Sequence, residues 1–138
     1  MHHWRVSVQT RNGSCHCGNI TFEFDTPVTG ILECNCSICH RKGALWHAVG
    51  NEQFRIVSGE ASLTTYQFGT RTAKHFFCSQ CGTSTFSNPR IAPHMWVVNL
   101  RCVDDIDLAA LPRQQFDGRN WEEAARQLMT NRQAQRTP

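Results

Sequence analysis

The pattern of apolar and polar residues predicts a chain of many short β-strands. Residues 20–24 alternate apolar and polar side chains, and a polar, proline-containing stretch at 25–27 then ends the run. Similar β-rich runs, separated by glycine, asparagine, serine or proline, recur at residues 45–49, 54–57, 63–68, 72–78, 83–86 and 95–100. Short strands with regular breaks are typical of antiparallel sheets, so we predict a mainly β fold.

Only the end of the chain has a helical pattern. Asn120 can cap a helix there, and Glu123 occupies its third position. Apolar side chains then recur at helical spacing, at Trp121, Ala125, Leu128 and Met129. We predict a short C-terminal helix over residues 120–132 that covers one of the sheets, and we expect the polar residues after Arg132 to fray.

The length of 138 residues predicts one domain, over residues 1–138, without a linker. No stretch approaches the roughly 20 apolar residues that a membrane-spanning helix needs, so we expect no membrane insertion. Residues 1–8 contain no apolar run that resembles a signal peptide, which favours reduced thiols and a cytoplasmic location. We leave the adjacent His2 and His3 of this segment out of the chemistry.

The charge balance gives no indication of a nucleic-acid partner. Fourteen lysine and arginine residues stand against eleven aspartate and glutamate residues, and the net charge of +3 is too small for that role. All the basic residues except Lys42 and Lys74 are arginine. This preference favours bidentate recognition of carboxylate or phosphate groups.

The cysteines carry the strongest signal for chemistry. Seven of the eight fall into three tight groups, which are Cys15 with Cys17, Cys34 with Cys36 and Cys39, and Cys78 with Cys81. Four thiolates close a tetrahedral zinc site, whereas three leave one position free. A division into two, three and two cysteines therefore predicts one closed and one open zinc site.

The first and last pairs have the features of two halves of a zinc knuckle. Each pair ends in a glycine, Gly18 or Gly82, which readily takes the positive φ that a chain needs when it folds back over a metal. We predict a structural zinc site made of Cys15, Cys17, Cys78 and Cys81. The alternatives are buried free cysteines, or a disulfide framework in a secreted chain.

The central triplet differs because Cys34, Cys36 and Cys39 lie within six residues and His40, not glycine, follows them. Three thiolates on Zn²⁺ leave a net negative complex, which activates water poorly but can accept a fourth, exchangeable thiolate. This favours sulfur chemistry over hydrolysis. The alternatives are a metal-free reactive cluster, or a second structural site that a further side chain completes, such as His40, His75 or Cys102.

Several residues near the triplet in sequence are weaker candidates. Arg41 and Lys42 follow it directly and could attract an anionic thiol, or they could form a solvated loop. His75 lies three residues before Cys78 on a predicted strand, so we expect its side chain on the opposite face, with Ala73 and Phe77, as a core residue or a partner of a ligand. We treat His47 and His94 as structural or surface residues, and Cys102 as a buried small apolar residue.

Four ordered motifs point to a known family. They are GSCHCG at residues 13–18, CNCSIC at 34–39, FCSQCGT at 77–83 and FDGRNW at 116–121. In this order they resemble the glutathione-dependent formaldehyde-activating enzyme family, which includes the centromere protein V type. The resemblance covers a core of about residues 13–121.

The resemblance implies an Mss4-like fold of folded β-sheets around a structural zinc, with a second, catalytic zinc on the triplet. Carried over residue by residue, Cys15, Cys17, Cys78 and Cys81 would bind the structural ion, and Cys34, Cys36 and Cys39 the catalytic one. The implied activity is that of a carbon–sulfur lyase. A thiol such as glutathione adds to formaldehyde to give an S-hydroxymethyl adduct, or the adduct releases formaldehyde. Arg41 and Lys42 are the candidates for orienting the substrate.

Two other functions fit the same motifs. Mss4-like and centromere-type relatives suggest a zinc-stapled binding module without catalysis, which would show a large exposed apolar patch. B-type methionine sulfoxide reductases have a related zinc fold with a reactive cysteine late in the sheet, and residues 99–102 resemble that region weakly. A thiol redox enzyme that uses Cys102 is therefore the third hypothesis.

Overall fold

The computed structural model describes residues 9–136, with side chains for residues 9–131, so His2 and His3 lie outside the described residues. Within this range the chain forms ten strands and two α-helices, joined by turns and short 3₁₀ segments. In chain order they are β1 (Arg11–Ser14), β2 (Thr21–Phe24), β3 (Ile31–Cys34), α1 (Ser37–Lys42), β4 (Trp46–Val49), β5 (Phe54–Ser58), β6 (Leu63–Tyr66), β7 (Lys74–Cys78), β8 (Ser84–Asn88), β9 (Trp96–Asn99), β10 (Arg113–Phe116) and α2 (Trp121–Arg136).

The strands form two sheets, and the prediction of a mainly β fold is confirmed. One sheet has three strands in the order β1-β2-β5. The other has seven strands in the order β10-β3-β4-β9-β8-β7-β6. All pairs are antiparallel except β10 with β3, which run parallel with Phe116 opposite Cys34. The expectation of antiparallel pairing alone is therefore wrong at this edge of the larger sheet.

The seven predicted runs correspond to β2 and to β4 through β9, and three strands were not predicted. β1 and β10 read RNGS and RQQF, so neither has an apolar face that would give a sequence signal. β3 is four residues long and ends at the first cysteine of the triplet. These strands form because neighbouring strands supply hydrogen-bond partners, not because of their own side-chain pattern.

The main core lies between residues of both sheets. The β2 side chains Phe22 and Phe24 are fully buried, and the ring of Phe22 meets that of Phe86 on β8 edge to face, 5.4 Å between centroids. Phe54 on β5 lies 5.0 Å from Phe86 and stacks at 4.4 Å on Trp96 of β9. This aromatic cluster joins the smaller sheet to the larger one.

The opposite face of the larger sheet carries a second, smaller apolar cluster. Residues of β4 alternate between the two faces: Val49 packs in the main core, whereas Trp46 and Ala48 pack beside the cysteine triplet. Cys39, Ala44, Trp46 and Val97 are the buried members of this second cluster. The sheet therefore places the triplet on the side away from the main core.

The predicted C-terminal helix is present, but it begins at Trp121, directly after the 3₁₀ turn Gly118–Asn120, and continues to Arg136. We expected the chain to fray directly after Arg132, and this expectation is wrong for residues 133–136, which are helical. Ala125 and Leu128 are buried, which agrees with a helix that covers one sheet. Among residues 9–136, no helix combines the length and the apolar character that crossing a bilayer would require.

Candidate metal centres and the adjoining cavity

The first and last cysteine pairs converge on one point. The Sγ atoms of Cys15, Cys17, Cys78 and Cys81 all lie within 4.8 Å of one another. Cys17 Sγ is 3.6 Å from Cys15 Sγ and 3.7 Å from Cys78 Sγ. This group could hold a metal ion, and it connects the turn after β1 to the turn after β7.

Both halves of this cluster have the knuckle geometry that the sequence predicted. Gly18 has φ +80° and Gly82 has φ +76°, so each takes the left-handed conformation that glycine tolerates best. Backbone N–H groups point at the sulfur atoms: Ile20 N donates to Cys15 Sγ at 3.2 Å and Gln80 N to Cys78 Sγ at 3.3 Å. These donors stabilise thiolate charge, which suits a metal–thiolate centre.

The triplet also converges, over a much shorter segment. Cys34 ends β3, Cys36 caps α1, and Cys39 lies inside that helix, so that the three Sγ atoms lie within 4.8 Å of one another. The helix ends at Gly43, whose φ of +66° turns the chain towards β4. The prediction that all three cysteines can wrap one ion is consistent with this geometry.

Each sulfur atom of the triplet accepts one N–H hydrogen bond. Cys36 N donates to Cys34 Sγ and Cys39 N to Cys36 Sγ, both at 3.4 Å. The indole Nε1 of Trp46 donates to Cys39 Sγ at 3.3 Å. Three donors aimed at three sulfur atoms suit a site that carries thiolate charge.

The three thiols also act on one another's protonation. Hydrogen bonds from Cys34 and Cys39 lower the pKa of Cys36 to about 2. Contact with the sulfur atoms of Cys34 and Cys36 raises the pKa of Cys39 above its ordinary value. The cluster by itself favours one thiolate shared among three sulfur atoms, and a bound cation would let all three ionise.

No fourth protein ligand completes the triplet within the described side chains. The group of histidine, cysteine, aspartate and glutamate atoms at this point contains only the three cysteines. His40 is exposed, and Cys102 lies in the main core. The structure therefore does not support the alternative of a second site closed by His40, His75 or Cys102.

A cavity of about 520 Å³ opens directly onto the triplet. Cys34, Cys36 and Cys39 line it on one side, and most of the remaining wall is apolar. Apolar wall residues include Leu32, Trp46, Phe68, Ile91, Met95 and Trp121. A cavity of this size and composition is typical of a small-molecule site.

Comparison with known proteins identifies the family. The sequence model of the glutathione-dependent formaldehyde-activating enzyme family matches residues 10–119. The chain belongs to this family. A crystal structure of a Rhodobacter sphaeroides protein is similar, with 36% sequence identity and a TM-score of 0.67, and the match covers 75% of this chain and 99% of that one. The resemblance drawn from the ordered motifs is thus confirmed.

Arg41 and Lys42 lie beside the triplet but do not line the cavity. Arg41 is exposed, and its guanidinium bonds back to the carbonyl oxygen of Ser37 at 3.0 Å. Lys42 Nζ is buried and has no hydrogen-bond partner among the described side chains, and this burial lowers the pKa of Lys42. Their role in binding substrate stays a prediction.

Two other arginines that the sequence did not single out do line the cavity. Arg90 places its guanidinium carbon 3.8 Å from the ring centroid of Trp121. Arg119 is anchored by a 2.8 Å hydrogen bond from its Nε to the carbonyl oxygen of Asn35, next to the triplet. Arg119 belongs to the FDGRNW motif, so a signal for it was present, whereas Arg90 lies in the turn after β8 and carried none.

The isolated histidines and Cys102 lie where the sequence analysis placed them. His47 contacts the Phe24 ring of the core and its Nε2 is 2.7 Å from Thr26 Oγ1, whereas His94 is exposed. Cys102 is buried, and that burial raises the pKa of its thiol to about 12. His75 is buried and lines the cavity together with Ala73, which confirms the predicted face for these two residues. Phe77 does not line the cavity, and the register of β7 with β8 shifts between His75 and Phe77.

Proposed function

We propose that this protein is a zinc-dependent carbon–sulfur lyase that forms or cleaves an S-hydroxymethyl thiol adduct at the cysteine triplet. One observation carries the proposal: three convergent thiols, without a fourth protein donor among residues 9–131, open onto a cavity large enough for a small molecule. Family membership supports it, because the family is described as glutathione-dependent and formaldehyde-activating.

The two clusters take different roles in this scheme. Cys34, Cys36 and Cys39 would hold the catalytic zinc, and Cys15, Cys17, Cys78 and Cys81 the structural zinc. When bound at the triplet, zinc supplies a Lewis-acid position that lowers the pKa of a substrate thiol. The three N–H donors to the triplet keep its sulfur atoms oriented, and the apolar wall excludes water from the carbonyl compound.

The reaction balances without a redox partner. In the forward direction the thiol loses its proton, a carbon–sulfur bond forms to the aldehyde carbon, and the carbonyl oxygen gains a proton to become a hydroxyl group. In reverse the carbon–sulfur bond breaks and thiol and aldehyde are released. Placing the two reactants side by side in one cavity removes most of the entropic cost of their encounter.

We propose glutathione or a related small thiol, and formaldehyde or a related electrophile, as substrates. Arg90 and Arg119 at the cavity wall add to Arg41 and Lys42 as candidates for the carboxylates of such a thiol. Because the scheme requires reduced thiols, we also propose a cytoplasmic location. None of these substrates is a nucleic acid or a membrane component.

The test combines metal analysis with thiol binding and turnover. Zinc content is measured first, and Co²⁺ is then exchanged into the protein so that its absorption spectrum reports the ligands of the metal. We expect two ions per chain, a spectral change when glutathione or another small thiol is added, and S-hydroxymethyl adduct formation from ¹³C-labelled formaldehyde detected by NMR. Cys36→Ser should abolish the spectral change and the adduct.

Cys102→Ala serves as the matched control, because it removes a cysteine outside both clusters and should retain both signals. A protein that holds a single, inert ion and shows no thiol-dependent spectrum would overturn the proposal. That result would favour the zinc-stapled binding module instead.

A further inference from the structure

Two polar side chains stand next to each other on the cavity wall. His75 on β7 and Ser87 on β8 are directly opposite residues in the antiparallel register. Side chains of directly opposite residues project to the same face of a sheet. Both residues line the cavity that the cysteine triplet opens onto.

In each of these side chains a buried polar atom lacks a hydrogen-bond partner in the described part of the protein. His75 is 8% exposed and Ser87 is 2% exposed. His75 Nδ1 and Ser87 Oγ are both buried, and neither has a hydrogen-bond partner among the side chains and backbone that the structure describes. Nearly all buried polar atoms in folded proteins are paired, so two unpaired atoms on one wall require a reason.

Apart from the charge of Lys42, which acts on His75, the neighbours that the structure describes around the pair are mostly apolar. Phe68 stacks on the His75 ring, with 5.8 Å between centroids and 24° between planes. Ala73, Met95 and Val97 contribute further apolar wall. A polar pair in an apolar cavity is the arrangement that orients a ligand in small-molecule sites.

The charges of Lys42 and Cys36, at and beside the triplet, act on His75. Burial, followed by the positive charge of Lys42, lowers the pKa of His75 to about 4, and the thiolate of Cys36 acts against this shift. His75 is therefore neutral near neutral pH. A neutral imidazole has one N–H donor and one acceptor nitrogen, and a serine hydroxyl can act as either.

We propose that His75 and Ser87 form a polar subsite that hydrogen-bonds an oxygen atom of the ligand whose sulfur is held at the cysteine triplet. The inference rests on the proposed function, and in that reaction the oxygen is the hydroxyl of the S-hydroxymethyl adduct or the carbonyl oxygen it comes from. The ligand class is thus a small thiol that carries a hydroxyl group near its sulfur, with otherwise apolar surroundings.

The experiment compares thiols that differ only in this oxygen. Cobalt-loaded protein is titrated with 2-mercaptoethanol, 3-mercaptopropanol and 4-mercaptobutanol, each matched with the alkanethiol in which a methyl group replaces the hydroxyl. The cobalt spectrum gives a dissociation constant for each thiol. For each pair, the dissociation constant of the methyl member divided by that of the hydroxyl member measures the preference for oxygen.

His75→Phe and Ser87→Ala are each expected to lower that ratio by about 2- to 10-fold for at least one chain length, the effect of one hydrogen bond. Thr85→Val is the matched control, because Thr85 Oγ1 is a buried and unpaired hydroxyl on the same strand that does not line the cavity. Its ratio should equal that of the wild type.

The outcomes separate the subsite from the proposed function. Thiols that change the cobalt spectrum but show the same ratio in all four proteins would overturn the subsite and leave the lyase proposal standing. Absence of any thiol-dependent spectrum would overturn both. Without thiol, the melting temperatures of His75→Phe and Ser87→Ala should match or exceed that of the wild type; a clear fall in both would show that the fold itself uses these polar atoms, and would count against the subsite.

Discussion

The indole Nε1 of Trp46 donates a hydrogen bond to Cys39 Sγ over 3.3 Å. Trp46 is 4% exposed and lies on β4, whereas Cys39 lies in α1. The larger sheet therefore contributes directly to the charge environment of the triplet. Because donors to a metal-bound thiolate orient it and stabilise its charge, this contact should affect metal binding.

We expect Trp46→Phe to weaken metal binding at the triplet by about 10-fold, the lower end of the usual cost of losing such a partner. The four-cysteine cluster should keep its affinity, because Trp46 does not contact it. Competition with a chromophoric chelator resolves the two ions if their affinities differ. Trp96→Phe is the matched control, since its Nε1 bonds to Asn51 Oδ1 and not to sulfur. An equal loss of metal affinity at the triplet in Trp46→Phe and Trp96→Phe would contradict the assigned role of the Trp46 indole.

Gly118 is a steric requirement of the triplet. A Cβ at this position would lie 2.6 Å from Cys34 Sγ and 2.7 Å from Cys36 Cβ. Since real contacts are never so short, Gly118→Ala must displace the cysteines or the segment after β10. We expect destabilisation of about 1–3 kcal/mol, typical of overpacking, together with loss of the triplet ion.

Thermal unfolding and metal content measure this effect. Gly30→Ala is the matched control, because its nearest new contact is 3.4 Å away, an ordinary distance. A Gly118→Ala protein that retains both ions and its wild-type melting temperature would show that the segment moves freely, contrary to this prediction.

The two clusters should differ in their importance for folding. Cys78 is fully buried and connects the turn after β7 to the turn after β1. Binding of a structural zinc contributes about 10 kcal/mol in zinc-finger peptides, comparable with the whole stability of a domain, about 5–15 kcal/mol. We expect Cys78→Ser to be largely unfolded, and Cys36→Ser to remain folded, as measured by circular dichroism. Similar stabilities for the two variants would argue against separate structural and catalytic sites.

Cys102 should be chemically inert. It is buried, its thiol lies 3.5 Å from the carbonyl oxygen of Ser84, and its pKa is raised to about 12 by burial. Because the thiolate is the reactive form, we expect no alkylation of Cys102 by iodoacetamide near neutral pH in the folded protein, and no loss of activity in Cys102→Ser. Loss of activity with both ions retained would instead favour the thiol redox enzyme.

His47 gives a prediction for pH dependence. Burial, with a smaller effect from Arg11, lowers its pKa to about 4, against about 6.5 for an unfolded chain. The unfolded state therefore takes up a proton first as pH falls. The contribution of His47 to the free energy of unfolding is therefore fully present above about pH 6.5 and is lost as pH falls towards 4.

The free energy of unfolding of the wild type, relative to His47→Gln, should therefore decrease over this interval. NMR titration of the imidazole in the folded protein provides a direct check. A His47 ring that protonates near pH 6.5 in the folded state would contradict the prediction.

The features that could be predicted are those that depend on local sequence. Three thiols within one short segment can meet at a point wherever that segment folds, so spacing alone predicted the triplet. The positive φ of Gly18 and Gly82 could likewise be predicted, because each glycine follows a cysteine pair in a tight turn. Seven strands and the helix were predicted because their own apolar periodicity matches the face they bury.

The convergence of the two distant cysteine pairs could be predicted, because each pair is an incomplete set of ligands. Other contacts between distant segments could not, since nothing in either segment specifies its partner. β10 is a polar strand that exists because it pairs with β3, and that pairing brings Gly118 against Cys34. The cavity, the Trp46 donor and the two arginines at its wall arise from the same long-range packing.

The sequence by itself determined the candidate metal-ligating groups, the β-rich fold class and the family, because cysteine spacing and side-chain periodicity are properties of short stretches. Tertiary structure decided what surrounds the triplet. The register between β7 and β8 alone sets His75 beside Ser87, and a shift of one residue would turn one of them to the other face. Such alignment depends on the packing of the whole sheet, which a single stretch of sequence does not encode.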